Sequence, residues 1–219
     1  MKKLLIFFAF LTYALNFHYF NAELRKLKNF AINEQTFYKK IDEEIKHRVP
    51  AEEDSIVFLG DSIMSGLKNY DLGLSGRVEN WAISGDTSSL LLNRLFRYDL
   101  QGIRSIHLMV GVNDIGRNVP VEEVIVNLTF IVDLLSLCQC EIFIYNVLYT
   151  DGISRDNDTI QHLNLLIDDL AELKAIKAVD LNRFVSDNEQ LQSQYTYDGL
   201  HLNESGYELW IKKIMQLSW

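Results

Sequence analysis

Apolar runs that alternate with helical patterns constrain the fold of this 219-residue chain most strongly. From Ile56 onward, short apolar segments are separated by stretches in which leucine, isoleucine and valine recur every three or four residues. Such alternation is typical of parallel strands that are connected by helices. Because near-continuously apolar strands are buried on both faces, the pattern predicts an α/β fold with a parallel sheet between two helical layers.

The predicted elements follow one another from residue 56 to the C-terminus. Strands are expected at 56–59, 78–83, 105–110, 141–148 and 175–181. Helices are expected at 63–69, 88–98, 121–137, 157–173 and 204–217. Ligands of such sheets bind beyond the carboxyl ends of the strands, so polar residues that directly follow a strand are the first candidates for a functional site.

Three of the predicted strands are followed by residues that can carry acyl chemistry. Ser62 ends the tripeptide Gly-Asp-Ser after the first strand, Gly85 follows the second strand and Asn113 follows the third. A serine hydroxyl becomes a nucleophile when a base accepts its proton. Gly85 has no side chain, so its backbone amide can approach a substrate oxygen, and the Asn113 amide is a second donor for that oxygen. The topology predicts that all three lie at one edge of the sheet.

A base for the serine is expected near the C-terminus. Of the five histidines, only His201 falls in a predicted loop with an acid, Asp198, three residues before it. Asp198 can orient the imidazole through Nδ1 while Nε2 faces the serine, and the chain order Ser, Asp, His occurs in hydrolytic triads. Taken singly, each of these short motifs also fits an ordinary turn or helix start.

Together these motifs resemble the GDSL, or SGNH, hydrolases over residues 56–219. Gly85-Asp86-Thr87 and Asp198-Gly199-Leu200-His201-Leu202-Asn203 are most similar to the branch containing the platelet-activating-factor acetylhydrolase catalytic subunits and bacterial acyl esterases. The resemblance implies a flavodoxin-like, three-layer α/β/α sandwich with about five parallel strands. Ile63 replaces the usual leucine of the first motif, whereas Met64 excludes the Gly-x-Ser-x-Gly elbow of the α/β-hydrolases.

The resemblance also implies a role for each site residue, without a metal or cofactor. Ser62 is expected to be the nucleophile, His201 the general base and then acid, and Asp198 the residue that orients His201. The oxyanion hole is expected to consist of the Ser62 and Gly85 backbone amides and the Asn113 side chain.

The expected function is serine-dependent hydrolysis of carboxylic esters, with short acyl groups removed from a sugar or a lipid. Two alternatives stay open, an O-acyltransferase that uses the same triad and a catalytically inactive binding module. The sequence leaves the acyl length, the leaving group and the oligomeric state open. A net charge of −9 argues against nucleic acid as a partner, because nucleic-acid-binding surfaces are basic.

The N-terminal residues have the pattern of a targeting segment. Lys2 and Lys3 precede an uncharged, largely apolar stretch from residue 4 to residue 22. This pattern predicts a signal peptide or signal-anchor at 1–22, a helical lead-in at 23–50 and the hydrolase domain at 51–219. The protein is therefore expected to be exported, to the periplasm or outside the cell, or anchored in a membrane. The competing interpretation is a buried N-terminal helix of a cytoplasmic protein.

The two cysteines, Cys138 and Cys140, are expected to be small buried apolar residues. Side chains two residues apart on a strand are poorly placed for bonding to each other, so no disulfide is expected. Metal binding would require further ligands, and the neighbouring sequence offers none.

Overall fold

A computed structural model describes residues 49–50 and 54–217 of the chain. These residues belong to one compact unit, Arg48–Trp219. The targeting segment predicted at 1–22 and nearly all of the lead-in predicted at 23–50 lie outside the described residues.

The unit is built around a parallel sheet. The strands are β1 (Val49–Pro50), β2 (Ser55–Gly60), β3 (Arg77–Asn80), β4 (Tyr98–Asp99), β5 (Ile103–Met109), β6 (Glu141–Tyr145), β7 (Lys177–Val179), β8 (Ser186–Asp187) and β9 (Gln190–Leu191). Five of them form the main sheet in the order β3-β2-β5-β6-β7, and every neighbouring pair is parallel. Two small ribbons accompany it, a parallel β1–β4 pair and an antiparallel β8–β9 pair.

Helices connect these strands. They are α1 (Ser62–Gly66), α2 (Ser88–Leu95), α3 (Val112–Gly116), α4 (Val121–Leu135), α5 (Asn157–Lys174), α6 (Asn182–Val185) and α7 (Glu204–Ile214). Short 3₁₀ segments occur at Leu67–Asn69, Ser136–Cys138 and Ser193–Tyr195. None of the helices within residues 54–217 combines the length and the apolarity that crossing a bilayer requires.

The predicted α/β/α sandwich is confirmed, because the sheet is buried on both faces. All six residues of β2 are buried. One face of the sheet carries a row of stacked rings, with His107 between Phe58 and Phe143 at centroid distances of 4.7 and 4.6 Å. Burial lowers the pKa of His107 to about 3, so this ring is neutral and belongs to the core. On the same face, Trp210 of α7 contacts Tyr145 edge to face.

The fourth predicted strand ends earlier than its apolar run does. Beyond Tyr145, the backbone amides of Val147 and Tyr149 donate to asparagine side chains and not to a neighbouring strand. The Val147 amide donates to Asn164 Oδ1, and the Tyr149 amide donates to Asn182 Oδ1. Residues 146–148 are therefore buried without being part of a strand. Likewise, Val112–Gly116 forms a short helix where the sequence predicted only a loop after a strand.

The expectation for the cysteines is wrong, because Cys138 and Cys140 form a disulfide. They do not lie side by side on a strand. Cys138 ends a 3₁₀ turn, and Gln139 adopts a left-handed conformation with φ of 56°. This reversal of the backbone brings the two sulfur atoms together before β6 begins, and both cysteines remain partly exposed.

Candidate active site

Ser62 lies directly beyond the carboxyl end of β2. Gly60 ends the strand with φ of 150°, and a Cβ at this position would lie 1.9 Å from the carbonyl oxygen of Met109 on β5. Only glycine allows the two strands to approach this closely. Asp61 then caps α1 by accepting a hydrogen bond of 2.9 Å from the Ile63 amide, which makes Ser62 the first residue of the helix.

The structure brings Ser62, His201 and Asp198 into one hydrogen-bonded chain. Ser62 Oγ lies 2.9 Å from His201 Nε2, although 139 residues separate them in sequence. On the other side of the ring, His201 Nδ1 lies 2.7 Å from Asp198 Oδ2. An ionised carboxylate only accepts hydrogen bonds, so Nδ1 carries the proton and Nε2 is left to accept from the serine.

Hydrogen bonds keep the Asp198 carboxyl ionised. Burial raises the pKa of Asp198, but hydrogen bonds from the His201 side chain and from the His201 and Leu200 amides outweigh it and hold the pKa below its ordinary value. The two amides donate to Oδ1 at 2.7 and 3.0 Å, so they also fix the carboxylate plane.

The loop that carries Asp198 and His201 is supported by its neighbours. Thr196 Oγ1 donates to the His201 carbonyl at 2.6 Å and accepts from the Gly199 amide at 2.9 Å. The Asp151 amide donates to the Gly199 carbonyl at 2.8 Å. The polar segment 150–157 therefore supports the loop that carries Asp198 and His201.

The other two predicted oxyanion donors, Gly85 and Asn113, meet at one turn: Gly85 is part of it, and the Asn113 side chain binds to it. The Asp86 amide donates to the Ile83 carbonyl, which closes a turn with Gly85 at φ of 85°. Asn113 Nδ2 donates to the Asp86 carbonyl at 2.9 Å and has a second hydrogen for another acceptor. The Ile83 amide donates to the Gly60 carbonyl at 3.0 Å, which ties this turn to the strand end before Ser62.

A family model for the GDSL-like lipase/acylhydrolase family matches residues 58–209, which include all of these side chains. The chain belongs to this family. A solved structure from Streptococcus pneumonia, provisionally named a platelet activating factor, is 29% identical with a TM-score of 0.68 and covers 88% of this chain and 96% of its own. A GDSL-like lipase from Bacteroides thetaiotaomicron shares the fold at 23% identity and a TM-score of 0.66, covering 82% and 95% of the two chains.

Curated relatives of this GDSL-type chain include N-acylneuraminate cytidylyltransferases of Streptococcus agalactiae. They are 26% identical over 211 residues, which cover 91% of this chain and 46% of theirs. The chain therefore spans about half the length of the curated relatives that it matches.

Polar contacts that the sequence did not predict connect the loops of the GDSL site. Asp114 accepts hydrogen bonds from the Ser88 amide at 2.9 Å and from Ser88 Oγ at 2.7 Å, so it ties the segment that carries Asn113 to the start of α2. Arg94 forms an ion pair of 2.7 Å with the buried Asp86 carboxylate. Arg117 Nη2 donates to the Gly85 carbonyl at 3.0 Å. Neither the ion pair nor the Arg117 contact has a sequence signal, because each depends on tertiary packing.

Asp61 is a buried carboxyl beneath the GDSL serine. Burial, with the nearby Asp114 and Asp86 carboxylates adding to it, raises the pKa of Asp61 to about 7 against the hydrogen bond from the Ile63 amide. A substantial fraction of Asp61 is therefore neutral at physiological pH.

A cavity of about 680 Å³ opens beside Ser62 and His201. Its walls come from the residues after Ser62, from Ser84 and from the start of α7. The side chains that line it include Ser65, Lys68, Asn69, Tyr197, Asn203 and Glu204. Ser65 follows Ser62 by three residues, a spacing that could have placed it on the same side of the helix as Ser62.

Proposed function

We propose that this protein removes short acyl groups from sugar hydroxyls by hydrolysing carboxylic esters through an acyl-enzyme on Ser62. The observation that carries the proposal is the chain of hydrogen bonds from Ser62 Oγ through His201 to Asp198. A serine next to a base that is itself oriented by a carboxylate is the arrangement required for nucleophilic catalysis.

The reaction proceeds in two steps, acylation of Ser62 and hydrolysis of the acyl-enzyme. Ser62 Oγ attacks the ester carbonyl carbon and His201 Nε2 takes the hydroxyl proton. The bond between the acyl carbon and the sugar oxygen breaks, and His201 returns the proton to the departing alcohol. Water then attacks the acyl-enzyme and gives a proton to His201. The bond to Ser62 Oγ breaks, the carboxylic acid leaves and the serine regains its proton.

Negative charge develops on the carbonyl oxygen in both halves of the reaction. Ser62 lies at the start of a helix, where backbone amides have no intrahelical acceptor. The Ser62 and Gly85 amides and the second hydrogen of Asn113 Nδ2 are the proposed donors to this oxygen. The contact between Asn113 and the Gly85 turn supports their acting together.

The chemistry of the cavity supports a sugar over a lipid as the alcohol. A long alkyl chain requires an apolar tunnel, whereas these walls carry hydroxyl, amide, ammonium and carboxylate groups. Among the described residues that line the cavity, Leu202 is the single aliphatic side chain. The similarity to proteins named for a reaction of N-acylneuraminate, a sugar acid, agrees with this preference.

Hydrolysis of p-nitrophenyl acetate by the wild type and by Ser62→Ala tests the reaction. We expect turnover by the wild type and a loss of about a thousandfold or more in kcat for the variant. A wild type without activity toward several acyl lengths between about pH 6 and 9 would refute the hydrolase, and an unchanged Ser62→Ala rate would refute the role of Ser62.

A substrate panel tests the sugar preference. Acetylated methyl glycosides, O-acetylated N-acetylneuraminate and lysophosphatidylcholine are offered side by side, with Ser62→Ala as the blank. The proposal requires the sugar esters to be preferred in kcat/KM, and it fails if the lysophospholipid is preferred. Product that forms only when an acceptor alcohol is added would assign acyl transfer instead.

We also propose that the protein is exported or membrane-anchored, on the basis of the apolar stretch at residues 4–22. The Cys138–Cys140 disulfide supports this location, because disulfides persist mainly outside the reducing cytosol. Fractionation of the producing cells followed by N-terminal sequencing tests it: recovery of the full-length chain in the soluble cytosol would contradict the proposal.

A further inference from the structure

Tyr197 is an exposed aromatic residue beside the proposed catalytic histidine. Its ring lies almost parallel to the His201 ring, with an angle of 11° and a centroid distance of 5.8 Å. The residue is 71% exposed and lines the same cavity as Ser62. A large, flat, apolar surface therefore faces solvent at the point where the substrate alcohol would leave.

The backbone holds this ring in a fixed relation to the reacting atoms. Tyr197 immediately precedes Asp198, whose carboxylate binds His201. Thr196, on its other side, donates to the His201 carbonyl. A ligand that rests on the Tyr197 ring is consequently positioned relative to Ser62 by the same loop that positions the base.

Polar groups surround this aromatic surface. The cavity also presents Ser65, Asn69, Asn203, Lys68 and Glu204, a mixture of hydrogen-bond donors and acceptors. A pyranose ring combines apolar C–H faces with a rim of hydroxyl groups, so it matches one aromatic platform surrounded by polar side chains.

The other aromatic residues of the cavity do not complete a cage for a quaternary ammonium group. Such cages surround the cation with several aromatic faces. Tyr207 is only 6% exposed, because its ring packs between Tyr70 at 5.1 Å and Trp210 at 6.1 Å. Within the part of the chain that the structure describes, Tyr197 is thus the one tyrosine of the cavity wall that is largely exposed.

We propose that Tyr197 determines substrate specificity by stacking on the sugar ring whose acylated hydroxyl lies at Ser62. This inference rests on the proposed esterase function and adds the residue that selects a ring-shaped, hydroxylated alcohol. Stacking on an aromatic side chain changes affinity by roughly tenfold.

Two acetate esters separate this role from the general reaction. Ethyl acetate has the same acyl group and no ring, whereas a methyl O-acetyl-glucopyranoside carries the ring. The ratio of kcat/KM for the glucoside to kcat/KM for ethyl acetate is measured for the wild type, Tyr197→Phe and Tyr197→Leu. The matched control is Tyr195→Leu, the same substitution at a tyrosine outside the cavity wall.

We expect Tyr197→Phe and Tyr195→Leu to keep the wild-type ratio within about threefold, and Tyr197→Leu to lower it roughly tenfold, mainly through KM. An unchanged ratio in Tyr197→Leu overturns the inference. An equal loss on both esters with a displaced pH profile also overturns it, since Tyr197 would then act through His201. A wild type that hydrolyses neither ester refutes the esterase itself, which is a separate result.

A binding measurement tests the platform independently of turnover. Saturation-transfer NMR of the O-acetyl-glucopyranoside with Ser62→Ala protein is compared with the same experiment on Ser62→Ala/Tyr197→Leu. The inference requires binding that weakens about tenfold when the ring is removed. Equal affinity of the two proteins for the glucoside contradicts it, as does a larger loss for a choline ester than for the glucoside.

Discussion

At the scale of single residues, Asn113 combines a structural contact with a proposed catalytic one. Its Nδ2 holds the Asp86 carbonyl and also has a hydrogen for the oxyanion. Asn113→Ala is expected to lower kcat about a hundredfold, because one oxyanion donor stabilises the transition state by about 3 kcal/mol. KM should change only a few-fold. Steady-state kinetics check this, and urea unfolding at the assay temperature controls for lost structure. A normal kcat in a stable variant would remove Asn113 from the oxyanion hole.

Asp61 gives the folding stability a defined pH dependence. Its pKa rises from 3.8 to about 7 on folding, so between these values the folded state holds a proton that the unfolded chain releases. The contribution of Asp61 to the free energy of unfolding is therefore fully present below about pH 4 and is lost as the pH rises toward 7. Asp61→Asn keeps an acceptor for the Ile63 amide and does not ionise.

We therefore expect Asp61→Asn to unfold at nearly the wild-type urea concentration at pH 4. At pH 8 it should be more stable than the wild type by up to about 4 kcal/mol. Urea titrations at both values measure the difference. The same pH dependence in both proteins would show that Asp61 is ionised in the folded state.

At the scale of elements, Tyr207 connects the helix after His201 to the helix that begins with Ser62. Its hydroxyl donates a buried hydrogen bond of 2.8 Å to the Ile63 carbonyl. Tyr207→Phe should lower the free energy of unfolding by about 1–2 kcal/mol and reduce kcat, because it removes a bond that aligns the two helices. Tyr195→Phe is the matched control, with an expected change below about 0.5 kcal/mol. Equal stabilities of the two variants would contradict the connection.

The elements that could be predicted from sequence are those with a periodic apolar pattern. The five strands and five main helices follow such patterns, and their parallel order places Ser62 and Asn113 at one sheet edge. The end of β6 was not predictable, because Asn164 and Asn182 take over its hydrogen bonds from distant positions. The Cys138–Cys140 disulfide was missed because the two cysteines were treated as neighbours on one face of a strand, whereas they flank the left-handed residue Gln139 before β6 begins.

In the candidate site, too, some features could be predicted from the sequence and others could not. Short motifs carry the residues of the proposed triad, since their spacing and order are visible in the chain. The cavity wall joins residues after Ser62 to residues near His201, and the Arg117 contact crosses between two loops. Such contacts depend on side-chain packing that one sequence does not display.

At the scale of the whole molecule, we expect Arg48–Trp219 to fold and act alone. β1 pairs with β4, so a chain that begins at Arg48 retains this ribbon, whereas one that begins at residue 51 loses it. The chain that begins at Arg48 should unfold in a single transition. Its kcat/KM for p-nitrophenyl acetate should stay within about threefold of the value for the full chain. Thermal unfolding and kinetics of both chains check this. A loss of cooperative unfolding would show that the preceding residues are required for the fold.

The most direct test of Ser62 as the nucleophile is covalent labelling by a fluorophosphonate ester, followed by intact-mass and peptide analysis. We predict one adduct per wild-type chain, located on Ser62, slower labelling of His201→Gln and no adduct on Ser62→Ala. An adduct on another residue, or equal labelling of Ser62→Ala, would contradict the acyl-enzyme mechanism.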